Sequence, residues 1–199
     1  MKQIKYIKIY CVALITIGMS AACQKEVIDL TPQSLLTTKD FYKTARDIDG
    51  AVLGVYSRYQ ARMPRDWAIL EMPTDNMHTT GYFAIGGMSE LNNMAFSQSN
   101  PLLAAFWLNT YNGIFRANSV LANIDNPVDY KVNQKEQFVG EAKFMRALFY
   151  FDLVRMFGGV PKVTSLLSID VAKTVTKASD DEIYALIIED LKDAVDKLP

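Results

Sequence analysis

The chain has 199 residues, half of them hydrophobic, enough for one domain with a substantial core. A formal charge of −1 at pH 7 supplies no basic field for a polyanion, which argues against nucleic acid as a partner.

The near-neutral balance hides an asymmetry. The first 22 residues hold three of the 21 basic residues (Lys2, Lys5, Lys8) and no acid, so the remainder carries 18 basic and 22 acidic residues, a net of −4. A basic start followed by CVALITIGMSAAC reads as a secretory signal over 1–22. Its apolar run is about ten residues, short of the roughly 20 a spanning helix needs. Ser20-Ala21-Ala22-Cys23 resembles a bacterial lipobox, with Ser20 where a branched apolar residue is usual. Cys23 then becomes the lipidated first residue, and the acyl chains anchor the protein through their buried methylenes. Cys11 leaves with the signal, so the mature chain holds one cysteine and no intrachain disulfide.

Residues 23–37 read as a polar tether containing Pro32. Thr38 offers an N-cap. Phe41, Ala45, Ile48, Val52, Val55, Tyr56 and Tyr59 then follow at helical spacing, which predicts an amphipathic helix over 39–61. Gly50 and Gly54 each weaken it by about 1 kcal/mol relative to Ala. Residues 62–100 show no period and are broken by Pro64, Pro73, Gly81, Gly86 and Gly87, which predicts a long irregular insertion.

Periodicity returns at Pro101. Leu103, Trp107, Tyr111, Ile114, Asn118, Leu121 and Ile124 line a helix over 101–125. Asn133 and Glu136 have capping-box spacing, and Phe138, Ala142, Met145, Phe149, Leu153 and Phe157 mark a helix over 133–157 that Gly158-Gly159-x-Pro161 stops. A short extended piece follows at 160–167. Ser179-Asp180-Asp181-Glu182 caps a last helix with Ile183, Leu186, Ile187, Leu191, Ala194, Val195 and Leu198 on its apolar stripe. The pattern is all-α, a set of tetratricopeptide-like helical hairpins, units that cannot bury their faces alone. The last stripe is uncovered unless it packs back on the hairpin, which would forfeit several kcal/mol at roughly 25 cal/mol per Å². The chain is therefore expected to be the N-terminal portion of a longer fold.

Four stretches in order resemble the SusD/RagB family of nutrient-uptake lipoproteins of Bacteroidetes: DFYKTARDIDGAVLGVYSRY, FWLNTYNGIFRANSVLANID, GEAKFMRALFYFDLVRMFGGVP and ASDDEIYALIIEDLKDAVDKLP. The resemblance implies an incomplete SusD-like α-superhelix over 38–199, anchored by Cys23 to the extracellular face of the outer membrane. It further implies a non-enzymatic protein that binds a glycan or peptide and hands it to a SusC-like TonB-dependent transporter. Family members are usually far longer, and their C-terminal region usually supplies much of the ligand site. The alternative is a truncated helical-repeat scaffold that contacts only protein.

Sugars are held by flat aromatics and oriented by carboxylates and amides. Within 62–100, Trp67, Tyr82, Asp75 and Asn76 have that chemistry and are the candidate ligand-binding residues. Trp107 and Tyr111, one turn apart, are expected to pack between repeats. Asn118 is expected to be a buried amide bonded to backbone, and Arg146 to meet an acid on another helix. His78 is the only histidine and stands in no nucleophile motif, so no catalytic residue, metal site or cofactor is expected. Cys23→Ala is expected to move the protein from the membrane fraction to the soluble fraction; continued sedimentation with membranes would remove the lipid anchor from this reading.

Overall fold

A computed structural model of the protein describes residues 41–79, 86–95 and 97–199. The signal, the tether with Cys23, and Tyr82 lie outside the described residues. Tyr42–Pro199 form one packed unit, and only Phe41 of the preceding unit is described.

The first helix, α1, runs Ala45–Glu71. Its start is set by Thr44 rather than Thr38. Thr44 Oγ1 accepts from Asp47 N at 3.2 Å, and the Asp47 carboxylate accepts from Thr44 N at 2.8 Å, a capping box with Asp in place of Glu. These donors hold the Asp47 carboxyl below its ordinary range, the Thr44 side chain contributing most. The Ala45 amide is satisfied by Asp129 Oδ1 at 2.7 Å, across 84 residues.

The end of α1 corrects the expectation of irregular structure after residue 61, because the helix passes through Pro64. An interior proline costs about 3 kcal/mol by deleting one hydrogen bond and crowding the preceding turn. The face it would sacrifice is larger. Ile48, Val52, Val55, Arg62, Ala68, Ile69 and Met72 are all buried, and burying an aliphatic side chain contributes about 1.5–3 kcal/mol.

A short helix, α2, spans Met88–Asn92 and buries Met88 and Leu91. It is tied to the next helix, α3 (Pro101–Asn123), by Asn100, which is fully buried. Asn100 Oδ1 accepts from Leu102 N at 3.0 Å and Leu103 N at 3.3 Å, while its amide donates to Gly87 O at 3.0 Å. Gly87 sits at φ 93°, and a Cβ there would lie 2.8 Å from the Asn100 side chain.

Helix α4 spans Gln134–Phe157, but not through the expected capping box. Asn133 adopts φ 62°, a left-handed conformation that asparagine tolerates, and its side chain caps nothing. The Gln134 side chain instead accepts from Lys131 N at 3.0 Å. The stop is as the sequence indicates: Gly158 takes φ 69°. Gly159 is fixed by space, since a Cβ would fall 2.1 Å from Ala178 O. The chain then runs out and back, with one antiparallel bridge between Pro161 and Lys177 and a single turn, α5 (Ile169–Ala172), at its far end. Among the described residues there is no strand. Helix α6 (Asp180–Lys197) opens with the expected Ser179–Glu182 capping box.

Helices α3 and α4 pack on each other, α1 covers α3 and the edge of α4, and α6 lies along α4. The α6 stripe does pack back: Ile183, Leu186, Ile187 and Ala194 are buried. Tyr184 and Leu191 stay exposed and line a groove with Phe144 and Phe151 of α4, and Ile188 and Val195 are exposed on the same helix as Tyr184.

Two buried arginines bolt the layers together. Arg146 donates to both oxygens of Asp190 on α6, Nε at 2.8 Å and Nη2 at 2.7 Å, and its Nη1 donates to Asn118 Oδ1 on α3 at 2.7 Å. Asn118 passes the contact on, donating to Val163 O at 3.0 Å. Arg62 of α1 pairs with Asp152 of α4, with Asp66 at 2.7 Å and with Thr110 of α3 at 3.0 Å, and its guanidinium lies 4.5 Å from the Phe106 ring centroid.

Helix approach is closest at Gly113, where a Cβ would meet the Phe149 ring at 2.4 Å; Phe149 is wholly buried. Gly113→Ala is therefore expected to lower unfolding free energy by about 1–3 kcal/mol or more in urea titration. Gly50 has nothing within 4 Å, and Gly50→Ala is expected to raise it by about 0.5–1 kcal/mol. Equal effects at the two sites would contradict this packing.

Candidate functional site

Two places on the described surface present the aromatic residues the sequence singled out, Trp67 and the Trp107–Tyr111 pair. The first is the C-terminal end of α1. Trp67 is 42% exposed and sits on the helix, not in a loop as the sequence suggested. Asp75 and Asn76 are exposed in the turn that follows. That turn is built locally: Thr74 Oγ1 donates to Glu71 O at 2.7 Å and accepts from Asn76 N at 3.2 Å. Its outgoing limb is pinned to α2, where Asn92 Oδ1 accepts from Thr79 N at 3.1 Å and Asn92 Nδ2 donates to His78 Nδ1 at 3.1 Å. The structure thus brings three of the four candidates to one end of one helix; Tyr82 lies outside the described residues.

The loop behind this end is held by Glu90. Its carboxylate accepts from Ser97 N and Ser97 Oγ, both at 3.0 Å, and from Asn100 Nδ2 at 3.2 Å. These donors, the Ser97 amide first, keep the Glu90 carboxyl below its usual range. Asp75 and Asn76 are exposed four and five residues after the end of the helix that carries the exposed Trp67 indole, and a carboxylate, an amide and an indole are the groups suited to the hydroxyls and apolar face of a sugar.

The second place is a groove of about 310 Å³ between α3 and the 161–175 excursion. Trp107, Tyr111 and Phe115 form one wall, and Pro161, Val163 and Val175 stand on the other. Trp107 and Tyr111 do pack as expected: their rings are 4.9 Å apart, and Trp107 meets Phe157 edge-on at 5.1 Å. They also leave a face on the groove, which the sequence did not reveal because the opposite wall is irregular chain. The polar groups there are already used. Tyr111 OH donates to Pro161 O at 2.8 Å, burial pushes the phenol's pKa up, and the Asn118 amide is engaged on both atoms. The groove offers apolar contact with little hydrogen bonding. Among the described residues no three of His, Cys, Asp and Glu converge as a metal site, and no helix is long and apolar enough to cross a membrane.

A family-wide sequence profile described as "Starch-binding associating with outer membrane" matches residues 28–199. The chain belongs to the SusD-like family. A SusD-like protein of Formosa agariphila is 28% identical over 179 residues, covering 86% of this chain and 35% of that protein. One from Bacteroides ovatus is 23% identical over 189 residues, covering 89% and 32%. Among solved structures, a laminarin-binding SusD-like protein superposes with a TM-score of 0.70 at 28% identity, over 79% of this chain and 35% of that one. A Bacteroides fragilis protein, NanU, shares the fold with the same TM-score of 0.70 at 19% identity, over 84% of this chain and 34% of that one. The SusD-like chain thus spans about a third of the length of these relatives, and the helical architecture read from its sequence is the one they share.

Asn92→Ala is expected to release the pinned turn. Amide exchange at Thr79 should accelerate at least about tenfold while exchange in α4 stays unchanged; unchanged Thr79 protection would mean the Asn92 contact does not order the turn.

Proposed function

We propose that this chain forms the helical N-terminal part of a surface lipoprotein that binds glycan or other nutrient oligomers and delivers them to a SusC-like TonB-dependent transporter. The observation that carries the reading is the family match over 28–199, supported by the likeness to a laminarin-binding relative at 28% identity. The family's outer-membrane association agrees with a lipidated Cys23 on the extracellular face. The chemistry is binding without catalysis. Trp67 offers its exposed indole to the apolar face of a sugar ring, and Asp75 and Asn76 take hydroxyls. Tyr82 belongs to the same proposed site. Most of each relative's length lies outside the match.

A second reading, a repeat scaffold that contacts only protein, draws on one observation. Tyr184, Ile188, Leu191, Phe144 and Phe151 leave an apolar strip exposed along α4 and α6. Scattered exposed apolar groups are ordinary, but a contiguous strip marks a contact surface.

Glycan titration separates the two. Laminari- and malto-oligosaccharides are expected to bind weakly, and Trp67→Ala to weaken binding about tenfold, equivalent to about 1.4 kcal/mol. Absence of binding to every glycan and peptide tested, or binding that Trp67→Ala and Asp75→Ala leave unchanged, would overturn the Trp67 site.

A further inference from the structure

Of the arginines whose side chains are described, Arg46 is exposed and makes no ion pair among the described residues, and the others fall into two groups. Arg62, Arg146 and Arg155 each contact a carboxylate. Arg58 of α1 and Arg116 of α3 do not: neither makes an ion pair among the described residues, although both are partly buried.

Their placement is specific. Arg116 Nη1 donates to Gly54 O at 3.0 Å, and Arg116 Nε donates to Asn112 Oδ1 at 3.0 Å. Gly54 lies one turn before Arg58 on the same helix, so the two guanidinium groups are brought to the same stretch of the α1–α3 seam. Gly54 leaves room for this, since a Cβ there would already sit 3.3 Å from Arg116 Nη1. The Gly54 carbonyl is further occupied by Ser57 Oγ at 2.8 Å. Arg58 Nε is buried from solvent and has no acceptor among the described residues. A buried donor without a partner is destabilising, more so when charged. Burial first, and then the charge of Arg58, lower the pKa of Arg116 against a smaller opposing effect of Tyr42, the sign expected of two neighbouring cations.

From this juxtaposition we infer that Arg58 and Arg116 form a binding site for a single oxyanion, a carboxylate or a sulfate held between the two guanidinium groups. Guanidinium groups are built for this ligand: their planar N–H forks match the paired oxygens of such anions. The neutral acceptors already present, Gly54 O and Asn112 Oδ1, orient Arg116 without neutralising it. The source of the oxyanion is either a free ion or the acid group of a uronic sugar. The site is separate from Trp67, which lies nine residues further along α1, about 13.5 Å in rise and half a turn around the axis. Its failure and the failure of the Trp67 reading are therefore distinguishable.

The test is titration of the isotopically labelled chain with sodium sulfate, sodium glucuronate and glucose at constant ionic strength set by chloride, observing the arginine Nε–Hε resonances. Saturable shifts of Arg58 and Arg116 with sulfate are expected, about tenfold weaker in Arg58→Gln and in Arg116→Gln and unchanged in Arg46→Gln. Because Arg58 has no ion-pair partner among the described residues, Arg58→Gln without added anion is expected to unfold at the same temperature as the parent or higher. Saturation by glucuronate but not glucose assigns the site to sugar acids; saturation by sulfate alone assigns it to a free ion. Shifts that do not saturate, or that survive Arg58→Gln, would overturn the site.

Discussion

The Arg146–Asp190 pair is the constraint on which the rest of this fold depends. Both side chains are almost wholly buried, at 7% and 2% exposure, so each charge has exchanged water for the other. Such an exchange is tolerable only when the geometry is good and the remaining donors are used. Here Nε and Nη2 take the two carboxylate oxygens, and Nη1 divides itself between Asn118 Oδ1 and Thr164 O. The consequence is topological as well as energetic. One guanidinium fixes α3, α4, α6 and the chain leaving α4 relative to one another, and removing either partner would strand a buried charge, a loss of about 3–5 kcal/mol. Tyr150 completes the join, its hydroxyl donating to Val163 O at 3.0 Å while accepting from Val163 N at 2.7 Å.

Arg62 repeats the device on the other side of α4. It joins α1 to α3 through Thr110 and to α4 through Asp152, and Arg155 gives Asp152 a second cation at 2.8 Å. The arrangement is less complete. Burial pushes the Asp66 carboxyl up, only partly opposed by Arg62, and one Asp66 oxygen is left without a partner. The two hubs differ in what they hold: Arg146 joins three helices and an irregular segment, whereas Arg62 keeps the C-terminal half of α1, with Trp67 on it, against the hairpin.

This difference explains which parts of the structure were legible in the sequence. Helices α3, α4 and α6 announce themselves because their buried positions are apolar and their ends carry Pro101, Gly158 and the Ser179 box. Arg146 could be assigned an acid on another helix because a charge amid Phe and Leu has few alternatives. The second half of α1 was hidden by the same logic run backwards. Its stripe continues at 62, 66 and 69, but Arg62 and Asp66 read as polar and Pro64 as a breaker. Once buried Arg62 and half-buried Asp66 are recognised as a pair, the period from Ile48 to Ile69 is continuous. The Asn133 cap failed for a local reason: asparagine's tolerance of positive φ competes with its capping role, and the backbone took the left-handed option. At the candidate site, residue type pointed to Trp67, Asp75 and Asn76. That they share one helix end follows from the extension of α1, which local pattern alone did not give.

The aromatic-rich helix α4 shows how the fold divides its apolar residues between structure and recognition. Phe149, Tyr150 and Leu153 are wholly buried and supply the centre of the core. Phe144 and Phe151, on the same helix, are 40% and 38% exposed and form with Tyr184 and Leu191 a groove of about 290 Å³ along α6. A repeat helix necessarily has two such faces, because one unit buries only the side turned to its neighbour. Ligand chemistry is therefore to be sought away from the repeat faces, where polar groups are free to reorganise around a hydroxyl. In this chain that condition holds at the turn after α1, where Asp75 and Asn76 are exposed, and fails in the groove at Trp107, whose hydroxyl and amide neighbours are already committed to the backbone.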